Sequence, residues 1–373
     1  MSNNEYAGLY VHVPFCRTKC PYCDFYSVTD LSLVSCWLEG LQKEVVYYKG
    51  RFDTFDSIYL GGGTPTLLQD CELTVVMDSL FQCFSFSPDT EITIEANPDD
   101  ITLGKLKLFR ETGINRISLG VQSLDDNELR FLQRRHTALQ AEKALEWIRT
   151  SGFVNVGIDL MYGFPGQTES GWIQTMKRTL DFRPEHLSCY QMTIEKRTPF
   201  GKMLSEGRIR AMEEDKEREF FLLTSRFLET NGYIHYEISN YAKDLGHYSR
   251  HNRKYWKHCT YLGLGPAAHS FQGGKRWWNT RSIDSYCQAL GEGKLPVAGT
   301  ESLSAEQHRL EMLYLGFRIR EGIDCGFFHN QPQGERILKD LQKSGLITVQ
   351  GGRVISTREG FLVADGLPLL FPD

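Results

Sequence analysis

Three cysteines crowd into eight residues, Cys16-Arg17-Thr18-Lys19-Cys20-Pro21-Tyr22-Cys23. The other seven, Cys36, Cys71, Cys83, Cys189, Cys259, Cys287 and Cys325, are scattered. A disulfide framework shows paired, spread spacings in a short secreted chain, so this pattern argues for reduced thiols and one metal site. Three thiolates on one loop can hold three corners of a 4Fe-4S cluster, a group usually ligated by cysteine. No fourth cysteine is near, which leaves one iron for a ligand the protein does not supply. Structural zinc wants four ligands, usually as two separated pairs, and neither His12 nor Asp24 restores that pattern.

Further polar positions recur at intervals behind the cysteines. In Gly61-Gly62-Gly63-Thr64-Pro65, bare backbone can approach a ligand and offer it N–H and C=O groups. Glycine turns are common, so the run alone is equally a plain turn. Glu95 is a site acid or a solvated carboxylate. Gln122 is a ligand or a turn residue, and Arg134 a ligand or a surface charge. Asp159 lies within an apolar run and needs a partner if buried.

The elements that must position these residues alternate in type. Leu9–Val13, Ser57–Leu60, Glu91–Glu95, Arg116–Leu119, Val156–Leu160 and Leu187–Met192 read as strands, with helical periodicity between them. Such alternation gives βαβ units and a parallel sheet. Six units are too few for an eight-fold barrel. The expected class is therefore α/β, an incomplete (β/α)6 TIM-like barrel or an open sheet. The polar positions fall at or just after the strands' carboxyl ends, the edge that carries chemistry in such folds. Residues 1–232 form this core, 233–300 a His- and aromatic-rich segment, and 301–373 a C-terminal module. In that module two helices, Ala305–Arg320 and Gln333–Ser344, precede a hairpin across Gly351–Gly352, a winged-helix-like pattern. Its apolar tail, Leu367–Phe371, is expected to pack against the body.

The C-x3-C-x2-C spacing resembles the radical-SAM superfamily, in which the open iron is chelated by S-adenosyl-L-methionine (SAM) and an electron from the cluster cleaves it to a 5′-deoxyadenosyl radical. Tyr10–Cys16, Gly61–Thr66, Ser118–Ser123, Ile158–Thr168 and His251–Trp256 together resemble the HemN family of oxygen-independent coproporphyrinogen III oxidases, and within it the HemW branch. The resemblance runs from about residue 8 to 370. It implies a radical-SAM barrel with Cys16, Cys20 and Cys23 on the cluster. It also implies SAM contacts at Tyr10, Tyr22, Gly62, Gly63, Thr64, Glu95, Gln122, Arg134 and Asp159. The oxidases carry a further cysteine two residues after the third cluster cysteine, and an extension before the cluster loop. Here Phe25 takes the cysteine's place and fifteen residues precede Cys16. Both departures point to the HemW branch, whose implied role is heme binding and delivery to acceptor proteins such as respiratory enzymes. The alternatives are coproporphyrinogen III oxidation or another radical-SAM reaction on a tetrapyrrole.

Heme has an independent, compositional signal. His235, His247, His251, His258 and His269 are five of the ten histidines, and Trp256, Trp277 and Trp278 three of the six tryptophans. Residues 235–281 hold eight Lys or Arg against two acids, in a chain of net charge −5. Heme wants an axial ligand such as His, apolar and aromatic walls, and cations for its propionates. His251, inside the family's heme-associated motif, is the ligand candidate.

The overall negative charge gives no reason to expect nucleic-acid binding. No basic region followed by a long apolar one opens the chain, and nothing reaches the roughly 18–20 apolar residues of a membrane helix. A cytoplasmic protein is expected, able to meet a membrane-bound acceptor without a membrane segment of its own.

Overall fold

The computed structural model describes residues 6–328 and 332–371, so the outermost residues of the first and last expected domains lie outside the described residues. Strand β1, Ala7–Val13, shows how the core is made. Leu9, Val11 and Val13 are fully buried, and Tyr10 and His12 alternate with them onto the other face, as the two-residue period of a strand requires. The same alternation runs through β2 (Thr54–Gly62), β3 (Ser85–Ala96), β4 (Arg116–Gln122), β5 (Val156–Tyr162) and β6 (His186–Gln191). These six strands pair in parallel in chain order. Helices cover their outer face, notably Val34–Tyr48, Asp70–Cys83 and Ala138–Thr150, so the strands are apolar outward and polar inward. Register aligns the inward residues in rows: Tyr10 lies opposite Tyr59, Glu95 opposite Ser118, and Asp159 opposite both Gly120 and Ser188.

The expected six-unit α/β core is present, but the segment 233–300 does not stand apart from it. Strands β7 (Ile234–Glu237) and β8 (Asn240–Ala242) extend the sheet beyond β6. Strand β9 (Tyr261–Leu264) pairs in parallel with β1 on the opposite flank. Strands β10 (His269–Gln272), β11 (Lys275–Asn279) and β12 (Val297–Ser302) continue from there in antiparallel fashion. The result is one open twelve-stranded sheet. These wing strands are three to six residues long, too short to show the apolar alternation that marks a strand in sequence.

The C-terminal module has its own three-stranded sheet, formed by β13 (Ile323–Asp324), β14 (Ile347–Gln350) and β15 (Arg353–Ser356), with helices Ala305–Gly316 and Pro332–Lys343. The expected hairpin is found, with positive φ at Gly351 and Gly352. The tail behaves differently from expectation. Leu367 and Phe371 pack into the module's own core, where Phe371 meets Phe317 and Phe328. Contacts with the barrel include Phe361, which packs on Phe221 and Leu222, and Arg358, whose Nε donates to Ser225 Oγ at 2.7 Å. No helix among the described residues is long and apolar enough to cross a membrane.

Candidate functional site

The cysteine loop leaves β1 and returns beside it. Phe15, wholly buried, anchors it edge-on against Trp37 at 5.7 Å. The Cys16 N–H donates to Val28 O at 2.9 Å, closing the loop's base, and the Cys23 N–H donates to Cys20 O at 3.1 Å, folding its tip. Cys16, Cys20 and Cys23 are free and half-buried, and all three line one cavity of about 520 Å³. Among the described residues no three His, Cys, Asp or Glu side chains converge on a point suited to a single metal ion. A lining with three thiols and no fourth cysteine is a donor set that suits three corners of a cluster.

The glycine run forms the wall beside the thiols, and its composition is dictated by contact. A Cβ on Gly63 would lie 2.6 Å from Phe15 O. At Gly62, φ is +106° and a Cβ would lie 2.5 Å from the His12 ring. The backbone here lies so close to the cysteine loop that only glycine fits. The Thr64 N–H donates to Phe15 O at 2.7 Å and ties the two segments together.

Across the cavity, Glu95 accepts from the Gly62 N–H at 3.0 Å and from the Tyr59 hydroxyl at 2.8 Å. Its pKa is raised to about 7, first by removal from bulk water and then by the nearby Asp159 charge. Asp159 accepts from Ser118 Oγ at 3.2 Å, and burial raises its pKa too, opposed by hydrogen bonds from Ser188 and Ser118 and by the Arg116 charge. Gln122 sits at φ +66°, a conformation uncommon outside glycine, and its buried Oε1 has no partner within the protein. Arg134 donates to Gly120 O at 2.8 Å, to Tyr22 OH at 3.3 Å and to Cys20 Sγ at 3.5 Å, while its buried Nε is unpaired. An orphaned acceptor, an orphaned donor and two acids beside three thiols suit a small ligand carrying both charges.

The structure thus brings Tyr22, Gly62, Gly63, Thr64, Glu95, Gln122, Arg134 and Asp159 to the cavity that the cysteines line. It does not bring Tyr10 there. The Tyr10 hydroxyl pairs with His12 Nδ1 at 3.0 Å, deeper in the barrel. Tyr59, Asn97, Ser118 and Tyr190 also line the cavity and were not singled out in sequence. For Tyr59 and Ser118 the available signal was strand alternation, since each lies two residues before an inward glycine.

His251 is also placed elsewhere. Its ring lies at the amino end of β1, where a Cβ on Gly8 would lie 3.1 Å from Nδ1. Nδ1 pairs with Ser57 Oγ at 3.2 Å and Nε2 with Tyr255 OH at 2.8 Å. Burial, then the Lys254 and Arg116 charges, lower its pKa to about 3, so the ring is neutral. In this conformation neither nitrogen is open to an iron. The other histidines of the segment do not gather around it. His235 stacks on Tyr241, His258 pairs with Glu311 at 2.7 Å, and His269 stacks on Trp278. The basic residues do concentrate. Arg250, Arg253, Lys254 and Lys257 line a second open cavity of about 320 Å³, with Tyr6 and Asp56. Lys254 pairs there with Asp56 at 2.9 Å, and Arg253 with Glu321 at 2.6 Å.

Residues 10–179 match the radical SAM superfamily, and residues 303–363 match the HemN C-terminal domain. The chain is 33% identical over 368 residues to the heme chaperone HemW of Mycobacterium tuberculosis, covering 96% of this chain and 93% of that one. It is 33% identical over 366 residues to the heme chaperone HemW of Bacillus subtilis, covering 95% and 96%. Among solved structures, coproporphyrinogen III oxidase HemN of Escherichia coli shares the fold, with a TM-score of 0.84 over 98% of this chain and 89% of that one at 23% identity.

Proposed function

The chain belongs to the HemW family of the radical-SAM superfamily, and from that premise we propose that it is a heme chaperone, binding heme in the cytoplasm and passing it to acceptor proteins. Cys16, Cys20 and Cys23 would hold a 4Fe-4S cluster, with SAM on the iron they leave open. Together these groups supply one-electron chemistry when bound. The chain's own part is to orient and shield them. Glu95 and Asp159 set negative charge beside a cationic ligand, Gln122 and Arg134 offer a free acceptor and donor, and the glycine wall lets backbone approach.

The observation that carries the chaperone reading is Phe25. Its side chain is 70% exposed at the rim of the cysteine-lined cavity, where the oxidases resembled by this sequence have a thiol. A phenyl ring can neither transfer a proton nor ligate a metal there. It offers an apolar surface instead.

The placement of the basic segment supports the same reading. Gly8, against which the His251 ring rests, and Val13, the last residue of β1, lie about 16 Å apart at roughly 3.3 Å per residue. Heme held at the 250–257 segment would lie at the end remote from the cysteines, beyond hydrogen-abstraction distance, and would leave unaltered. For His251 to ligate it, the imidazole must first break from Tyr255.

The test is a spectrophotometric heme titration of the anaerobically cluster-loaded protein beside His251→Ala, with mass analysis of the heme after incubation with SAM and a reductant. One-to-one binding with intact heme is expected. No saturable binding overturns the proposal, and consumption of coproporphyrinogen III in a parallel assay would establish the oxidase in its place.

A further inference from the structure

Asn97 joins two hydrogen bonds that end on two different cluster cysteines. It follows β3 and precedes Pro98, whose ring restricts its backbone to the extended region it occupies, φ −97° and ψ 146°. Its Oδ1 accepts from the Arg134 guanidinium, and its Nδ2 donates to Thr64 Oγ1 at 3.2 Å. Arg134 in turn donates to Cys20 Sγ at 3.5 Å, and Thr64 Oγ1 to Cys16 Sγ at 3.6 Å.

Donor and acceptor roles fix the direction of this chain. Arginine only donates, so the amide must present its oxygen to Arg134; the flipped amide would set donor against donor. Its nitrogen then faces Thr64 and occupies a lone pair on the hydroxyl. Thr64 has one proton, and the remaining partner for it is Cys16 Sγ. The shared bond fixes which way the Asn97 amide faces and holds the Arg134 guanidinium in turn, and Asn97 orients Thr64. Hydrogen bonds to the ligating sulfurs of an iron–sulfur cluster stabilise its more negative, reduced state and raise its reduction potential.

We infer that Asn97 is a positioning residue that aims the Thr64 hydroxyl and the Arg134 guanidinium at Cys16 and Cys20, and so holds the cluster's reduction potential up. The inference rests on the cluster reading above and deepens it, naming the residue that tunes electron uptake.

The experiment is a redox titration of the cluster-loaded protein without SAM, followed by electron paramagnetic resonance, with iron per chain as the loading control. Thr64→Val and Asn97→Ala each shift the midpoint to lower potential, and Thr64→Ser, which keeps the hydroxyl, leaves it at the wild-type value. The Asn97→Ala shift is smaller in the Thr64→Val background than in the wild type, because part of it acts through Thr64. Equal shifts in both backgrounds, or none from Asn97→Ala, overturn the inference while leaving the cluster in place. If Asn97→Ala loads poorly, Asn97→Asp replaces it. A carboxylate still accepts from Arg134 but draws the Thr64 proton away from Cys16, so the same background dependence is expected, and an additive shift overturns the idea. A wild-type chain that takes up no four-iron cluster overturns the cofactor reading itself, and this inference with it.

Discussion

The backbone N–H of Gly62 donates to the carboxylate of Glu95 at 3.0 Å, so the glycine wall and the acid opposite it form one unit. Tyr59 completes the unit from below at 2.8 Å. With its pKa near 7, Glu95 gains its charge as pH rises through neutrality. SAM carries a fixed positive charge at its sulfonium, so its affinity should climb across pH 6 to 8. Glu95→Gln should flatten that profile. Tyr59→Phe removes a hydrogen bond that favours the charged acid and should move the climb to higher pH. Equilibrium SAM binding to the cluster-loaded protein checks this, and a Tyr59→Phe profile at or below the wild-type pH would refute it.

His251 and Tyr255 make the second prediction. A ligating His251 must release the Tyr255 hydroxyl, so heme association is gated by that opening. Tyr255→Phe should raise the association rate several-fold in stopped-flow absorbance while costing about 1 kcal/mol of stability for the lost hydrogen bond. His251→Ala removes a buried ring and strands Ser57, and should destabilise by roughly 2–4 kcal/mol. An unchanged association rate in Tyr255→Phe would take His251 out of heme binding and leave it as the floor of the barrel.

Gly63→Ala tests the seat of the cysteine loop. Its Cβ would meet Phe15 O at 2.6 Å, a backbone atom with little room to retreat because Phe15 is wedged on Trp37. The loop must shift, and with it Cys16. Iron content after reconstitution should fall by half or more, with helical content by circular dichroism unchanged. Full iron loading would show that the loop can give way without cost.

The cysteine loop and the glycine run were legible in the sequence because their meaning is local, a spacing on one turn. Asp159 was legible as an acid within an apolar run. Asn97 was not, because its partners Thr64 and Arg134 lie 33 and 37 residues away and only the parallel register of β2, β3 and β4 brings them together. The burial of His251 was not legible for the opposite reason. Its neighbours are basic and aromatic, which reads as a surface patch, yet the short helix Arg250–Trp256 turns this one ring inward under Gly8 and Tyr59. The wings of the sheet escaped notice because three- to six-residue strands carry too few alternations to register.

Glu44 supplies a test of the scaffold apart from the site. It is fully buried, accepting from the Gly265 N–H at 2.8 Å, from Tyr286 OH at 2.7 Å and from Asn279 Nδ2 at 2.6 Å. It thereby ties the helix Val34–Tyr48 to the turn after β9 and to the helix Ile283–Gly291. Burial outweighs these three bonds and raises its pKa from 4.5 to about 7. Between those values the folded chain binds a proton that the unfolded chain has released. The stability this proton contributes is complete below pH 4.5 and is lost as pH rises through 7, about 3 kcal/mol in all. Glu44→Gln cannot ionise. Its unfolding free energy should be lower than wild type at pH 5, where Gln sets an amide donor against the donors around it. It should then decline less steeply toward pH 8, so that the two proteins converge. Denaturant unfolding of the cluster-loaded proteins from pH 5 to 8 measures both curves, and parallel slopes would mean that Glu44 is already ionised at pH 5, its charge carried by those three donors.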